Sequence, residues 1–171
     1  MVTRGARSRS SDDCPPRAGV DRQGGVSIEV SCMNVRSFLD ANILIYTDDA
    51  DNPEKRSRCL DLFERARLER WGVVSTQVLE EYFSAATRKL RVAPEIARRK
   101  VELFGQLDLF LIELADVLGA IDLHRLHGFN FWDALVVRAA IQARCSVLFT
   151  EDLQHDRRID GLRVVNPFIH P

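Results

Sequence analysis

From Met33 onward, short apolar runs alternate with segments of helical periodicity, and this alternation restricts the fold more than any other feature of the chain. A strand followed by a helix before the next strand is built for parallel pairing, because a parallel neighbour is reached only through a crossover. NVRSFLD (34–40) reads as a buried strand, and RWGVVS (70–75), LFLIEL (109–114), SVLFT (146–150) and LRVV (162–165) repeat the pattern. Between them lie helical patterns. DNPEKRSRCLDLFERARLE (51–69) carries Pro53 near its first turn and an apolar stripe through Cys59, Leu60 and Phe63. TQVLEEYFSAATRKL (76–90) is apolar at Val78, Leu79, Tyr82, Phe83, Ala86 and Leu90, which is one helical face. APEIARRKVELFGQL (93–107), DVLGAIDLHRLHG (116–128) and FWDALVVRAAIQARC (131–145) complete the set, the last apolar nearly all round. The prediction is an α/β fold with a parallel sheet covered on both faces.

Residues 1–32 differ in kind. They are rich in Gly, Ser, Arg, Asp and Pro, and the first aromatic of the chain is Phe38, so they lack the apolar surface to offset their ordering entropy. They are expected to be a disordered extension, leaving residues 33–171 as the folded domain. Met33 stands directly before the first strand-like run, which marks it as a possible natural start.

Composition removes several classes of function. With 24 Lys and Arg against 25 Asp and Glu, the net charge is -1 and no global positive field advertises nucleic acid. Cys14, Cys32, Cys59 and Cys145 form no CxxC pair and have no His at zinc-like spacing, which speaks against a zinc site or a disulfide framework and suits a reducing cytoplasm. No apolar run approaches the ~18 residues of a membrane span, and no apolar stretch follows the basic N-terminus. A soluble cytoplasmic protein is expected.

The acids are placed by the strand pattern. In FLDANILIY (38–46), Asp40 stands among Phe, Leu, Ile and Tyr, where burial costs several kcal/mol unless compensated. In an open parallel sheet the ligand site lies beyond the carboxyl ends of the strands. Asp40 ends the first strand, Glu80 and Glu81 lie early in the helix after the second, and Asp152 lies two residues past SVLFT. Asp133 opens the helix leading into SVLFT, whose N-terminus can reach the same edge. Four converging carboxylates repel one another, and a bound cation relieves this; an all-oxygen set favours Mg²⁺ or Mn²⁺ over zinc. Each acid also has a plainer reading. Asp40 can cap a helix beginning at ILIY, although Asn42 is better placed for that. Asp133 follows Asn130 by three residues, close to a capping box. Helical geometry does not choose between Glu80 and Glu81, and Asp152 is one acid in a polar turn.

In order and surroundings, FLDANILIY, STQVLEEYFSAATRK, FNFWDALVVRAA and LFTEDL followed by VVNPF resemble the PIN-domain family, in particular the VapC-type toxin ribonucleases of bacterial toxin–antitoxin pairs. The resemblance runs from about residue 33 to 168. It implies a three-layer α/β/α sandwich and Mg²⁺- or Mn²⁺-dependent endoribonuclease activity. The family's acids fall on Asp40, Glu81 (chosen over Glu80 by its distance from the serine ending the second strand), Asp133 and Asp152, with Asn42 and Thr150 in support. On this pattern Asp40 and Asp133 hold a metal ion, Glu81 and Asp152 complete a second site or orient water, and hydrolysis leaves a 5′-phosphate. The implied partners are an RNA substrate, a cognate antitoxin and a second copy of the chain. The chain departs from the family in carrying Asn130 where Ser is common, Asp156 with Arg157 where relatives tend to carry Gly, and residues 1–32, which have no counterpart.

Local basic groups must meet the RNA. Arg88, Lys89 and Arg91, with Arg98, Arg99 and Lys100 in the next helix, form the candidate corner, and with net charge near zero few phosphate contacts and a shallow salt dependence are expected. His124, His127 and His155 read as surface residues. Trp71 can contribute to an apolar contact surface, whereas Tyr82 and Phe83 are assigned to the core. A haloacid-dehalogenase-like phosphatase would need a second Asp where Asn42 stands. The remaining alternative is a catalytically silent PIN-fold module that binds RNA or a protein.

Overall fold

The computed structural model describes residues 35–169, so the expected disorder of residues 1–32 and the Met33 start lie outside the described residues. The elements run β1 (Ser37–Leu39), α1 (Ala41–Tyr46), α2 (Pro53–Leu68), β2 (Gly72–Ser75), α3 (Thr76–Arg88), α4 (Pro94–Phe104), β3 (Asp108–Phe110), α5 (Leu114–His127), α6 (Phe131–Gln142), β4 (Val147–Phe149), β5 (Arg158–Ile159) and β6 (Leu162–Val165). They form one six-stranded sheet in the order β3-β2-β1-β4-β6-β5. Every neighbouring pair is parallel except β5 with β6. The predicted mostly parallel α/β architecture is therefore what the chain adopts.

Strand order has a direct consequence for the site. From β1 the chain moves outward through β2 to β3, then returns to place β4 on the other side of β1. The crevice between the carboxyl ends of β1 and β4 is thus the switch point, where α/β sheets leave room for ligands. Right-handed crossovers put α1 to α4 on one face and α5 and α6 on the other.

Three edge-on aromatic rings knit the first face: Phe104 of α4 lies 5.0 Å from Phe63 of α2 and 4.8 Å from Tyr82 of α3. The close approach of α2 to β2 depends on Gly72, where an added Cβ would sit 2.8 Å from the Ala66 Cβ. On the opposite face, α6 buries Ala134 to Val137 together with Ala139 and Ala140, as its nearly all-round apolar sequence requires.

Three sequence readings need correction. The buried stripe of α2 is Cys59, Leu62, Phe63 and Ala66, while Leu60 is 41% exposed, because the helix phase turns it off the sheet. Trp71 belongs to the core, stacked obliquely near Phe149, and not to a contact surface. Phe83 is 40% exposed; with Leu79 it makes a second ridge of α3 that faces α4, so only Tyr82 of that pair is core. The short antiparallel β5 was not anticipated at all.

Candidate active site

Most of the interior is apolar, and the exceptions are informative: among the buried polar side chains are Asp40, Ser75, Gln77 and Thr150, each at or just beyond the carboxyl end of β1, β2 or β4. Asp40 follows β1 in extended conformation and is itself the cap residue of α1, which begins at Ala41; Asn42 lies inside the helix and does not cap it. Its Oδ1 accepts from the Ala41 N–H at 2.6 Å, while its Oδ2 accepts from the Thr150 hydroxyl at 2.6 Å and from Asn42 Nδ2 at 3.2 Å. Thr150 is the hub between strands. Besides donating to Asp40, its Oγ1 accepts from the Asp152 N–H at 3.1 Å and from Asn42 Nδ2 at 3.0 Å. The same Nδ2 reaches Asp152 Oδ2 at 3.0 Å. Asp40, Asn42, Thr150 and Asp152 are thus one bonded group across the β1–β4 crevice.

Burial pushes the Asp40 carboxyl up to about 7; the bonds from Thr150 and Ala41 oppose this, and the charges of Asp152 and Glu81 add to it. Those repulsions link the other acids to the group. Glu81 is raised by burial, held down by a 2.7 Å bond from Gln77 Nε2, and raised again by Asp133 and Asp152. Asp133 is likewise raised by burial and by Asp152, against a bond from Asn130. Glu80 turns away into the hollow between α3 and α4. Asn130 caps α6 by accepting from the Asp133 N–H at 3.0 Å, and it also donates to the Asp133 side chain, so this is a pairing of side chains and not the reciprocal capping box.

Among the described residues, no three His, Cys, Asp or Glu side chains stand together as a ready metal cage. The Asn42 Nδ2 stands between Asp40 and Asp152 and bonds both. The carboxylates and the Thr150 hydroxyl are nevertheless oxygen donors throughout, which fits a hard divalent cation, while Asn42 and Gln77 turn their amide nitrogens toward the acids. Asn42 Oδ1 and Gln77 Oε1 are both buried without a hydrogen-bond partner, so the two amides that touch the acids each keep an unused acceptor.

Residues that the sequence did not single out brace this edge. Lys55 of α2 bonds Glu151 Oε2 at 2.6 Å and the Tyr46 hydroxyl at 2.8 Å, Tyr46 also bonds Glu151, and the ammonium lies 4.7 Å from the Phe168 ring. Glu151 precedes Asp152, so the clasp fixes the loop carrying that acid. Gln77, four residues before Glu81 and hence on the same side of α3, was the one legible at helical spacing.

The basic corner divides. Arg88 and Lys89 line an open hollow of about 480 Å³ together with Glu81, Ser84, Ala85 and Ile45, whereas Arg91 lies beyond the end of α3 and is not part of that wall. Lys100 is bound to Asp48, which also accepts from Tyr82, and Arg98 pairs with Glu102, so neither points a free charge at the cleft. The histidines have structural contacts: His124 Nδ1 meets the Phe129 carbonyl, His155 Nδ1 accepts from the Asn166 N–H, and His127 packs on Phe129.

The family model for the PIN domain matches residues 37–160. No curated protein sequence matches the chain. Solved structures do. A toxin–antitoxin complex from Klebsiella pneumoniae is similar with a TM-score of 0.56 at 19% identity, over 77% of this chain and 98% of that one. VapC20 of Mycobacterium tuberculosis, described as a Sarcin-Ricin loop cleaving toxin, gives 0.55 at 15% identity over 68% and 91%. DNA-bound VapBC from Salmonella typhimurium gives 0.54 at 22% identity over 76% and 96%.

Proposed function

The chain belongs to the PIN domain family, and from that premise we propose that it is a Mg²⁺- or Mn²⁺-dependent endoribonuclease, the toxin of a toxin–antitoxin pair. The observation that carries this reading is the bonded group Asp40–Asn42–Thr150–Asp152 at the switch point, with Glu81 close enough to raise the Asp40 carboxyl and Asp133 close enough to raise Glu81. Asp40, Asp133, Glu81 and Asp152 would hold the cation. Bound there, it supplies charge stabilisation at the phosphate and lowers the pKa of attacking water. Thr150 keeps Asp40 and the loop of Asp152 in register, and Gln77 aims Glu81 into the cleft. Arg88 and Lys89, along the same face of α3 as Glu81, supply phosphate contacts, with Arg91 beyond them.

An antitoxin and a second copy of the chain are the proposed protein partners, and the apolar hollow of about 510 Å³ lined by Leu79, Phe83, Pro94 and Val101 offers surface for such a contact. No helix among the described residues is long and apolar enough to cross a membrane, which suits a proposed cytoplasmic site of action.

The test is digestion of total RNA by antitoxin-free protein with and without Mn²⁺. Metal-dependent cleavage that EDTA abolishes is the expected result. A second reading, a silent module that binds RNA or protein, is favoured by the Asn42 amide lying where the acids would otherwise converge. Persistent absence of cleavage with Mn²⁺ present would select it.

A further inference from the structure

Among the described residues the most exposed aromatic ring is Trp132, at 60%. So large an apolar side chain left in water forfeits the burial that normally fixes it, which calls for an occupant. Its place is specific. Trp132 lies in the first turn of α6, immediately before Asp133. Its ring rests edge-on against Phe131 at 5.3 Å, and its carbonyl faces the Gln77 amide that bonds Glu81. The indole is therefore mounted on the same short turn as one acid and tied through Gln77 to another.

The electrostatics decide what it takes. The acids alone repel phosphate, and Arg88 and Lys89, which make no ion pair among the described residues, lie along α3 past Glu81. A polyanion can thus be gripped by charge on the α3 side, but on the α6 side it needs an uncharged attraction. A flat indole offers that to a nucleobase, whose π-face stacks on it whatever the sequence.

We propose that Trp132 is the stacking platform for an unpaired base beside the phosphate that a cation held by the acids would take, so that the site takes RNA in single-stranded or looped form. This rests on the ribonuclease reading and adds to it the state of the substrate and the residue that reads it.

The chain has two tryptophans, and Trp71 is buried at 6% exposure, so emission changes on binding report Trp132. Binding is measured in the Glu81→Gln background, which keeps the strand whole, with short single-stranded RNAs of mixed sequence and with the same backbones lacking bases. Base-bearing strands are expected to quench emission and abasic ones not. Read by the anisotropy of end-labelled RNA, since these variants lack the reporting indole, Trp132→Ala should weaken binding of base-bearing strands about tenfold, and Trp132→Phe far less. With Glu81 intact and Mn²⁺ present, Trp132→Ala should raise KM and spare kcat. Equal affinity of Trp132→Ala and the parent, equal quenching by abasic strands, or no quenching by any RNA overturns the inference. So does emission that changes with protein concentration alone, since the ring would then meet a second copy. Failure of the ribonuclease reading looks different: no Mn²⁺-dependent cleavage by the parent chain, with the binding comparison still readable.

Discussion

At the scale of single residues, Asp40 carries opposed demands. Folded and metal-free, its carboxyl titrates at about 7 against an ordinary 3.8, chiefly because it is buried. Between those values the native state holds a proton that the unfolded chain has lost, so this group favours folding fully below about pH 4, and the benefit fades as pH rises through 7. Glu81 and Asp133 are raised as well and act with the same sign. Urea unfolding in EDTA should therefore show stability falling by a few kcal/mol from about pH 5 to pH 8, and Asp40→Asn should flatten much of that slope. The same variant should lose Mn²⁺-dependent cleavage while remaining at least as stable as the parent near pH 8. A destabilised yet active Asp40→Asn protein would refute a metal-binding role. Glu81→Gln should abolish cleavage and Glu80→Gln should leave it intact, measured on the same RNA. Asp40 was legible because a charge amid Phe, Leu and Ile demands a reason. Glu81 was chosen only through the family resemblance, by its distance from Ser75, since both glutamates flank the α3 stripe equally; in the fold Glu80 turns into the hollow between α3 and α4.

At the scale of elements, the long apolar-periodic segments could be read and the short irregular ones could not. The β5–β6 hairpin is two residues against four, and its signal was the Asp-Gly pair at its turn: Asp160 and Gly161 both take positive φ, 47° and 86°, as a tight hairpin requires. Asp156, where the family resemblance led to the expectation of Gly, adopts φ 62°, so the turn has the left-handed shape that glycine takes freely. Two bonds from Arg163 to Asp156 Oδ1, at 2.6 and 2.7 Å, hold it there. Asp156→Gly should thus shift the unfolding midpoint little, whereas Asp156→Val should cost roughly 1–2 kcal/mol by chemical denaturation. The Lys55–Tyr46–Glu151 clasp escaped the sequence because its members come from α1, α2 and the loop after β4, which only the fold brings together. Lys55→Met should loosen that loop, lowering kcat with a smaller change in stability; an unchanged kcat would show that Asp152 is positioned without it.

At the scale of the whole molecule, the parallel topology was implied by strand–helix alternation, but the strand order, and with it the meeting of β1 and β4, was not, because nothing local records which strand pairs with which. Burial pushes the thiols of Cys59 and Cys145 up to about 12, so both should resist alkylation in the native protein at neutral pH and react only in denaturant, as peptide mass mapping would show. Deleting residues 1–32 should leave the unfolding midpoint and any nuclease activity unchanged, since that segment has no aromatic and little to dock with. The Asn42 amide has a further consequence, for the order of events in the life of the chain. Its Nδ2 donates to Asp40, Thr150 and Asp152 together, so the bonds that tie the two sides of the crevice are made by the chain itself. On the proposed metal-dependent reading, maturation and arming would be separate steps: a newly made chain would reach its final shape while still inert, and the supply of divalent ions, rather than folding, would set when it acts.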